Sequence, residues 1–350
     1  MRYFDEELVA NSRPHAAWWG ELCANRQHFH NTEDSLASVQ NAASILPRDA
    51  WLDLDGITRR IMRDDEGQAY MADLLPLAKA VNIGKLVHMN RVASGATKQV
   101  QRSLSGQVPV PLDKSAYDYR GAPVPIFANG YGREWREWNT LQSENFDALA
   151  DDQEEFMSHL REDMADYALD GDSNIVFEGY TAYGIRTSSY SKSINLGSAG
   201  GGANIDLTAS GTTADAIEGF FNGPFGAMLD ENLVTQPVNL YISPEMGRSF
   251  DRPYSGSAGF KIGSLMQALE ANRRIRSIKV TYKLTGNEFF GFVPNAQYIR
   301  PLIGMAANTV AKTRMNPNDN YQFMNWAAMG LEIRADYNGK SGVFYSTDID

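Results

Sequence analysis

The stretch from Thr140 to Asp170 constrains the fold more than any other part of the chain. Phe146, Leu149, Gln153, Phe156, Met157, Leu160, Met164, Tyr167 and Ala168 recur at helical spacing, which gathers the apolar side chains on one face. Roughly 30 residues at ~1.5 Å each predict a rod of about 45 Å. Asn139 is placed to cap it, with Gln142 three residues on, and Gly171 to end it. The other face is acidic: Glu144, Asp147, Asp151, Asp152, Glu154, Glu155, Glu162, Asp163 and Asp166 stand against Arg161 alone. Acids near the C-terminal end oppose the helix dipole, so this face does not serve the helix itself. It is either solvated or turned toward something it must repel.

Before the rod lies a segment of opposite character. LVHMNRVAS and YDYRGAPVPIFANGYG are strand-like, rich in β-branched and aromatic residues and punctuated by Pro and Gly. Between them GATKQVQRSLSGQVPVPLDKS is polar and poor in large apolar residues. Lys85, Arg91, Lys98, Arg102, Lys114 and Arg120 face only Asp113 and Asp118. So long a connection without a core of its own is unusual in a compact domain. It is either a surface loop or a long hairpin that buries itself against another molecule.

Residues 1–45 form an arm of little periodicity, holding Trp18, Trp19, Cys23, His15, His28 and His30. Asp49 opens a short helix carrying Trp51, Leu54, Ile57 and Ile61, and a second amphipathic stretch from Ala69 to Ala80 is interrupted at Pro76. After the rod, NIVFEGYTAYGIRTSSYSKSINL predicts strand, turn and strand, and GSAGGGAN a flexible loop. A helix then starts near Thr212, with Asp215 as its capping partner, and is broken at Gly223-Pro224. PVNLYISPEM predicts a buried strand, IGSLMQALEANRRI a helix, SIKVTYKLTG and EFFGFVPN two strands, and the last 50 residues further strands. Helices and strands are grouped rather than alternating, which indicates an α+β fold.

Charge and motifs exclude several functions. With 43 Asp+Glu against 32 Lys+Arg, a net −11, the chain is not built to coat nucleic acid from outside, though it is compatible with surrounding nucleic acid without sticking to it. One cysteine excludes an internal disulfide framework. No run of ~18 apolar residues offers a membrane span, and MRYFDEELVANSRPH lacks the apolar core of a signal peptide. GSAGGGAN lacks the order of a dinucleotide loop, GKS at Gly339 is preceded by Arg334 where a phosphate loop needs glycine, and neither HExxH nor GxSxG occurs. Cys23, His28 and His30 are three ligands where structural zinc takes four, at a spacing that is not standard. His88 and His159 alone remain for acid–base work, and no catalytic, cofactor or metal site is expected.

A chain with an arm, an uncored hairpin, a long acidic helix and no catalytic signature is suited to contact copies of itself. The order of parts resembles the major capsid protein of tailed double-stranded-DNA bacteriophages, the Hong Kong 97 fold. RGAPVPIFANGYGREWREW sits where the extended loop returns to the spine helix, and IVFEGYTAYGI just after that helix. TADAIEGFF, PVNLYISPEM and SLMQALE match the helix-strand-helix core of the axial domain, and NYQFMNWAAMGLEIRADYNGKSGVFYST the strands rejoining the peripheral domain. The resemblance implies an arm at 1–47, short helices at 48–84, an extended β-hairpin loop at 85–132, a spine helix of the peripheral domain at 133–173, an axial domain at 174–295 and returning peripheral strands at 296–350.

It further implies a structural protein, not an enzyme, that forms pentamers and hexamers of itself and an icosahedral head around double-stranded DNA. That head is assembled in the host cytoplasm and becomes part of the virion. A scaffolding protein, a portal and a decoration protein are the other partners the resemblance admits. Lys98, Arg102, Lys114, Arg120, Trp18 and Trp19 are the expected subunit contacts, the basic hairpin docking on a neighbour's acidic spine. Reversing Lys98, Arg102 and Lys114 to Glu is then expected to impair assembly. Some family members join subunits by a Lys–Asn isopeptide bond, for which Lys98 or Lys114 is placed, although no motif fixes the Asn or Glu partner. An encapsulin-type nanocompartment shares the fold, and an α+β enzyme with an unrecognised site is the reading of a different class.

Overall fold

The computed structural model describes residues 67–349 apart from 96–99, 101, 106–111, 144–147 and 255–262. Among these residues the strands form a four-stranded sheet, a five-stranded sheet and two two-stranded ribbons. The arm at 1–47, the helix opened by Asp49 and the Trp18, Trp19 and Lys98 positions lie outside the described residues.

Helix α1 (Gln68–Leu74) tightens into a 3-10 turn at Leu75–Leu77, where Pro76 has no N–H to offer, and leads to the short β1 (Lys79–Ala80). Strands β2 (Val87–Ala93) and β3 (Tyr117–Pro123) pair antiparallel from Val87 against Pro123 to Ala93 against Tyr117, making the ribbon expected of the basic segment. The expected boundary at Gly132 puts the next strand, β4 (Ile126–Arg133), in that loop as well. Instead β4 pairs along its whole length with β12 (Tyr321–Ile333). The cause is its alternation. Phe127, Asn129, Tyr131 and Arg133 share one face, and each meets the long helix beside it.

That helix is α3 (Ala148–Asp170), preceded by α2 (Trp135–Ser143). Its 23 residues span about 35 Å. Asn139 is not a cap: it lies inside α2 and donates its side-chain N–H to the Trp135 carbonyl at 2.9 Å. Gly171 does end α3, with φ of 67°, and a Cβ there would lie 2.3 Å from the Ala182 carbonyl oxygen, so only glycine fits. The chain then forms a second ribbon, β5 (Gly171–Phe177) and β6 (Tyr180–Tyr183). Its two turn residues, Glu178 and Gly179, have φ of 51° and 83°. Both are positive, as a type I′ hairpin requires.

The four-stranded sheet runs β1-β11-β12-β4, with β11 (Ile299–Ala311) and β12 forming a long antiparallel pair. Its two faces are covered differently. Met329, Leu331 and Ile333 pack in one core with Ala165, Ala168 and Leu169 of α3. Leu302 and Ala328 pack with Ala122 and Val124, at the end of β3 and just beyond. The sheet therefore lies between the long helix and the root of the first ribbon.

The five-stranded sheet has the order β7-β13-β10-β8-β9, from β7 (Lys192–Asn195), β13 (Val343–Thr347), β10 (Phe289–Phe292), β8 (Val238–Ile242) and β9 (Ile275–Val280). β13 belongs to this sheet, although residues 296–350 were all expected to return to the other. Its Phe344 is buried against Phe225, ring centroids 5.2 Å apart, and that contact is available only here. Around the sheet lie α4 (Ala214–Phe220), α5 (Gly226–Glu231), α6 (Pro244–Phe250) and α7 (Leu265–Glu270). Phe220, Phe221, Phe225, Phe250 and Phe289 supply the aromatic centre of its core. Thr213, rather than Thr212, caps α4, and its side chain accepts the Ala216 N–H. Gly223-Pro224 does not break the path of the helix: a π turn at Phe221–Phe225 widens around the proline and carries the chain into α5.

Candidate assembly surfaces

The β2–β3 ribbon has two unlike faces, because side chains alternate along each strand. One face carries Met89, Arg91, Tyr117 and Tyr119. Met89, Tyr117 and Tyr119 are 48%, 59% and 58% exposed, and Arg91 lies 5.0 Å from the centre of the Tyr117 ring. The other face turns to the chain's own body. There Arg120 donates from Nη1 to the Ala335 carbonyl at 2.8 Å and from Nη2 to the Asp336 carbonyl at 3.2 Å. Its guanidinium also sits 4.3 Å from the centre of the Tyr190 ring.

Under the same root lies a charged layer. Glu332, only 3% exposed, pairs with Arg300 at 2.5 Å, and Arg334 stands 3.9 Å away. His88 of β2 lies 3.3 Å from the Lys79 amine. Burial holds the His88 imidazole below its ordinary value; Glu332 pulls it up, while Lys79, Arg300 and Arg334 push it further down.

The expected contact residues separate into three groups. Arg120 is engaged within its own chain. Arg102 and Lys114 are exposed, and neither side chain makes an ion pair among the described residues. Lys98, Trp18 and Trp19 lie outside the described residues. Leu104 and Leu112, near Arg102 and Lys114, are fully exposed.

The acidic face of α3 differs from both expectations, being in part neutralised by its own chain. Arg133 forks over Asp152 with bonds of 2.5 and 2.8 Å. Lys283 donates to Glu162 at 2.8 Å and to Asp166 at 3.1 Å. Asp170 holds Arg186 by two bonds of 2.7 Å. Burial draws the Lys283 amine down, but its two carboxylate partners outweigh that and hold it above its ordinary value. Asp163 is held up by burial and by Asp166, Asp172 and Glu162. With Asp152, Glu162 and Asp166 occupied, a neighbour's ribbon does not have the whole acidic face to dock on.

A second polar junction was not foreseen. Asp73 of α1 accepts from the Tyr241 hydroxyl at 2.5 Å, from Lys279 at 2.7 Å and from Asn239 at 3.1 Å, tying α1 to β8 and β9. Burial raises the Asp73 carboxyl, and these donors more than offset it, leaving the group below its ordinary value. A cleft of about 570 Å³ between α4 and α7 is lined by Glu218, Tyr254, Gln267 and Asn272. Among the described residues no group of three or more His, Cys, Asp or Glu is placed to hold a metal ion, and no helix is long and apolar enough to cross a membrane.

This arrangement of elements has counterparts among solved structures. The chain is similar in structure to that in the capsid of Myoviridae phage XM1, with a TM-score of 0.61 and 10% identity over 87% of this chain and 99% of that one. It is also similar to the chain in the capsid of a native GTA particle, with a TM-score of 0.58 and 9% identity over 91% of this chain and all of that one. A third match is Microbacterium phage Oxtober96, with a TM-score of 0.57 and 10% identity over 89% of this chain and 99% of that one. The fold is therefore the α+β Hong Kong 97 fold of tailed-phage and GTA major capsid proteins. By sequence the chain belongs to a family of unknown function, DUF6260, whose profile matches residues 41–346. No curated protein matches it.

Proposed function

We propose that this chain is the major capsid protein of a tailed double-stranded-DNA phage, closing as pentamers and hexamers into an icosahedral head. The observation that carries this reading is the ribbon, whose root is tied to its own body while Met89, Tyr117 and Tyr119 stand in water on its outer face. Covering what remains exposed of each such side chain contributes about 1 kcal/mol, and a second copy supplies that cover many times over in a closed shell. The five-stranded body serves as the axial domain and the four-stranded body with α3 as the peripheral domain. The ribbon reaches over one neighbour and the arm at 1–47 lies along another, with Arg102, Lys114, Lys98, Trp18 and Trp19 at those contacts. The net acidic chain then lines a container in which DNA stays mobile, since a basic lining would trap it. Scaffolding, portal and decoration proteins complete the particle, built in the host cytoplasm.

The test is the content and the surface of particles formed in cells. Particles of wild-type chain from phage-infected cells are expected to hold long DNA; an enclosed enzyme in place of DNA would assign the chain to the encapsulin-type compartments instead. Met89→Asp with Tyr119→Asp is expected to leave a folded monomer of unchanged thermal midpoint that forms no shell. Intact shells from this double variant would overturn the role given to the ribbon face.

A further inference from the structure

The root of the β2–β3 ribbon is held on both faces at two consecutive residues. On the outer face is Gly121, where a Cβ would lie 2.8 Å from Cγ and Cδ1 of Tyr180 and 2.8 Å from Cγ1 of Val87. The β3 backbone therefore rests directly on the Tyr180 ring. Tyr180 is the first residue of β6, presented by the tight turn at Glu178 and Gly179. On the inner face is Arg120, bonded to the Ala335 and Asp336 carbonyls and stacked on Tyr190. The Val124 N–H closes the root by donating to the Leu86 carbonyl at 2.9 Å. Pivoting toward the outer face presses the backbone into Tyr180 and stretches the Arg120 bonds, while pivoting toward the inner face drives Arg120 into the Tyr190 ring and the backbone at 335–336.

We propose that this grip sets the angle at which the ribbon leaves the body, and that this angle fixes the curvature at which copies close. The inference rests on the shell reading above. Its physical basis is leverage. From the gripped pair Asn90–Arg120 to the last pair, Ala93–Tyr117, the ribbon runs about 10 Å at ~3.3 Å per residue, so a tilt of about 10° moves that end by ~2 Å, and the connection beyond it by more. A heterologous contact closes only if its rotation fits, and an error of that size misdirects every copy in the same sense. Arg120 and Tyr180 act as positioning residues: each is engaged within its own chain, and together they aim the part that meets a neighbour.

The experiment compares particle diameters, by electron microscopy, for wild type, Arg120→Lys, Tyr180→Ala and Tyr180→Phe, with the thermal midpoint of each dissociated chain. Lysine keeps the charge but loses the planar fork that spans the two carbonyls and stacks on Tyr190, alanine removes the ring, and phenylalanine keeps it. Wild type and Tyr180→Phe are expected to close at one diameter. Arg120→Lys and Tyr180→Ala are expected to remain folded and to scatter over several diameters or fail to close. If Tyr180→Ala does not fold, Arg120→Lys decides. Lysine and alanine variants that close at the wild-type diameter overturn the inference and leave the shell reading standing, as does a phenylalanine variant that scatters like alanine. No particle from the wild type overturns the shell reading itself.

Discussion

Asp73 shows how one carboxylate joins parts of the chain that are far apart in sequence. Its three donors come from Asn239 and Tyr241 of β8 and from Lys279 of β9, the edge strand of the five-stranded sheet. Asp73→Asn leaves Lys279 and Tyr241 without their charged acceptor and is expected to cost about 1–2 kcal/mol in chemical denaturation at neutral pH. A carboxyl held below its ordinary value of 3.8 stabilises the fold above that value, and the contribution is lost as pH falls through the folded value. The difference between variant and wild type is therefore expected to shrink in acid below pH 3.8. A constant difference would contradict the assignment. His88 has the opposite chemistry and the same sign. Its imidazole is held below 6.5, so the opened root binds a proton more readily than the closed one. The root is then most stable above pH 6.5 and loosens as pH falls below it. Hydrogen exchange of the β2 amides, corrected for intrinsic rates, is expected to quicken between pH 7 and about pH 5.5 in wild type and to stay flat in His88→Gln.

Elements followed the sequence wherever punctuation and alternation agreed. The ribbons, the buried β8, the long helix and its stop at Gly171 all come from local rules of this kind. Gly171→Ala is expected to destabilise by more than about 2 kcal/mol, since it adds a left-handed backbone penalty to an overlap with the Ala182 carbonyl. Glu178→Asn is expected to stabilise by about 0.5 kcal/mol, because asparagine tolerates the positive φ of 51° better than glutamate does. Both are read from thermal or denaturant unfolding. The π turn at Phe221–Phe225 was not legible, because its signal, Gly223-Pro224, is also the ordinary signal for a break. Nor was the sheet membership of β4 and β13: their patterns identify strands, but the partner strand is set by which core receives Phe127, Tyr131 and Phe344.

At the scale of the molecule, the fold was legible as an order of parts, while much of the candidate contact surface was not. Arg102 and Arg120 are alike in sequence, yet one is exposed and the other bonds to Ala335, 215 residues away. In the same way the acids of α3 gave no sign of Lys283, which lies 121 residues beyond Glu162 and is held to it by tertiary packing alone. What survives both corrections is a chain whose ribbon exposes Met89, Tyr117 and Tyr119 on its outer face and has a root fixed to its own body. Reversal of the exposed cations, Arg102→Glu with Lys114→Glu, is expected to slow or abolish assembly without moving the thermal midpoint of the dissociated chain, followed by light scattering. The central claim is tested most directly by cryo-electron microscopy of the purified full chain across a range of concentrations. Closed icosahedral shells, with Met89, Tyr117 and Tyr119 covered by a neighbouring copy, are the predicted result. A monomer or dimer at every concentration, with those three side chains left in water, would contradict it.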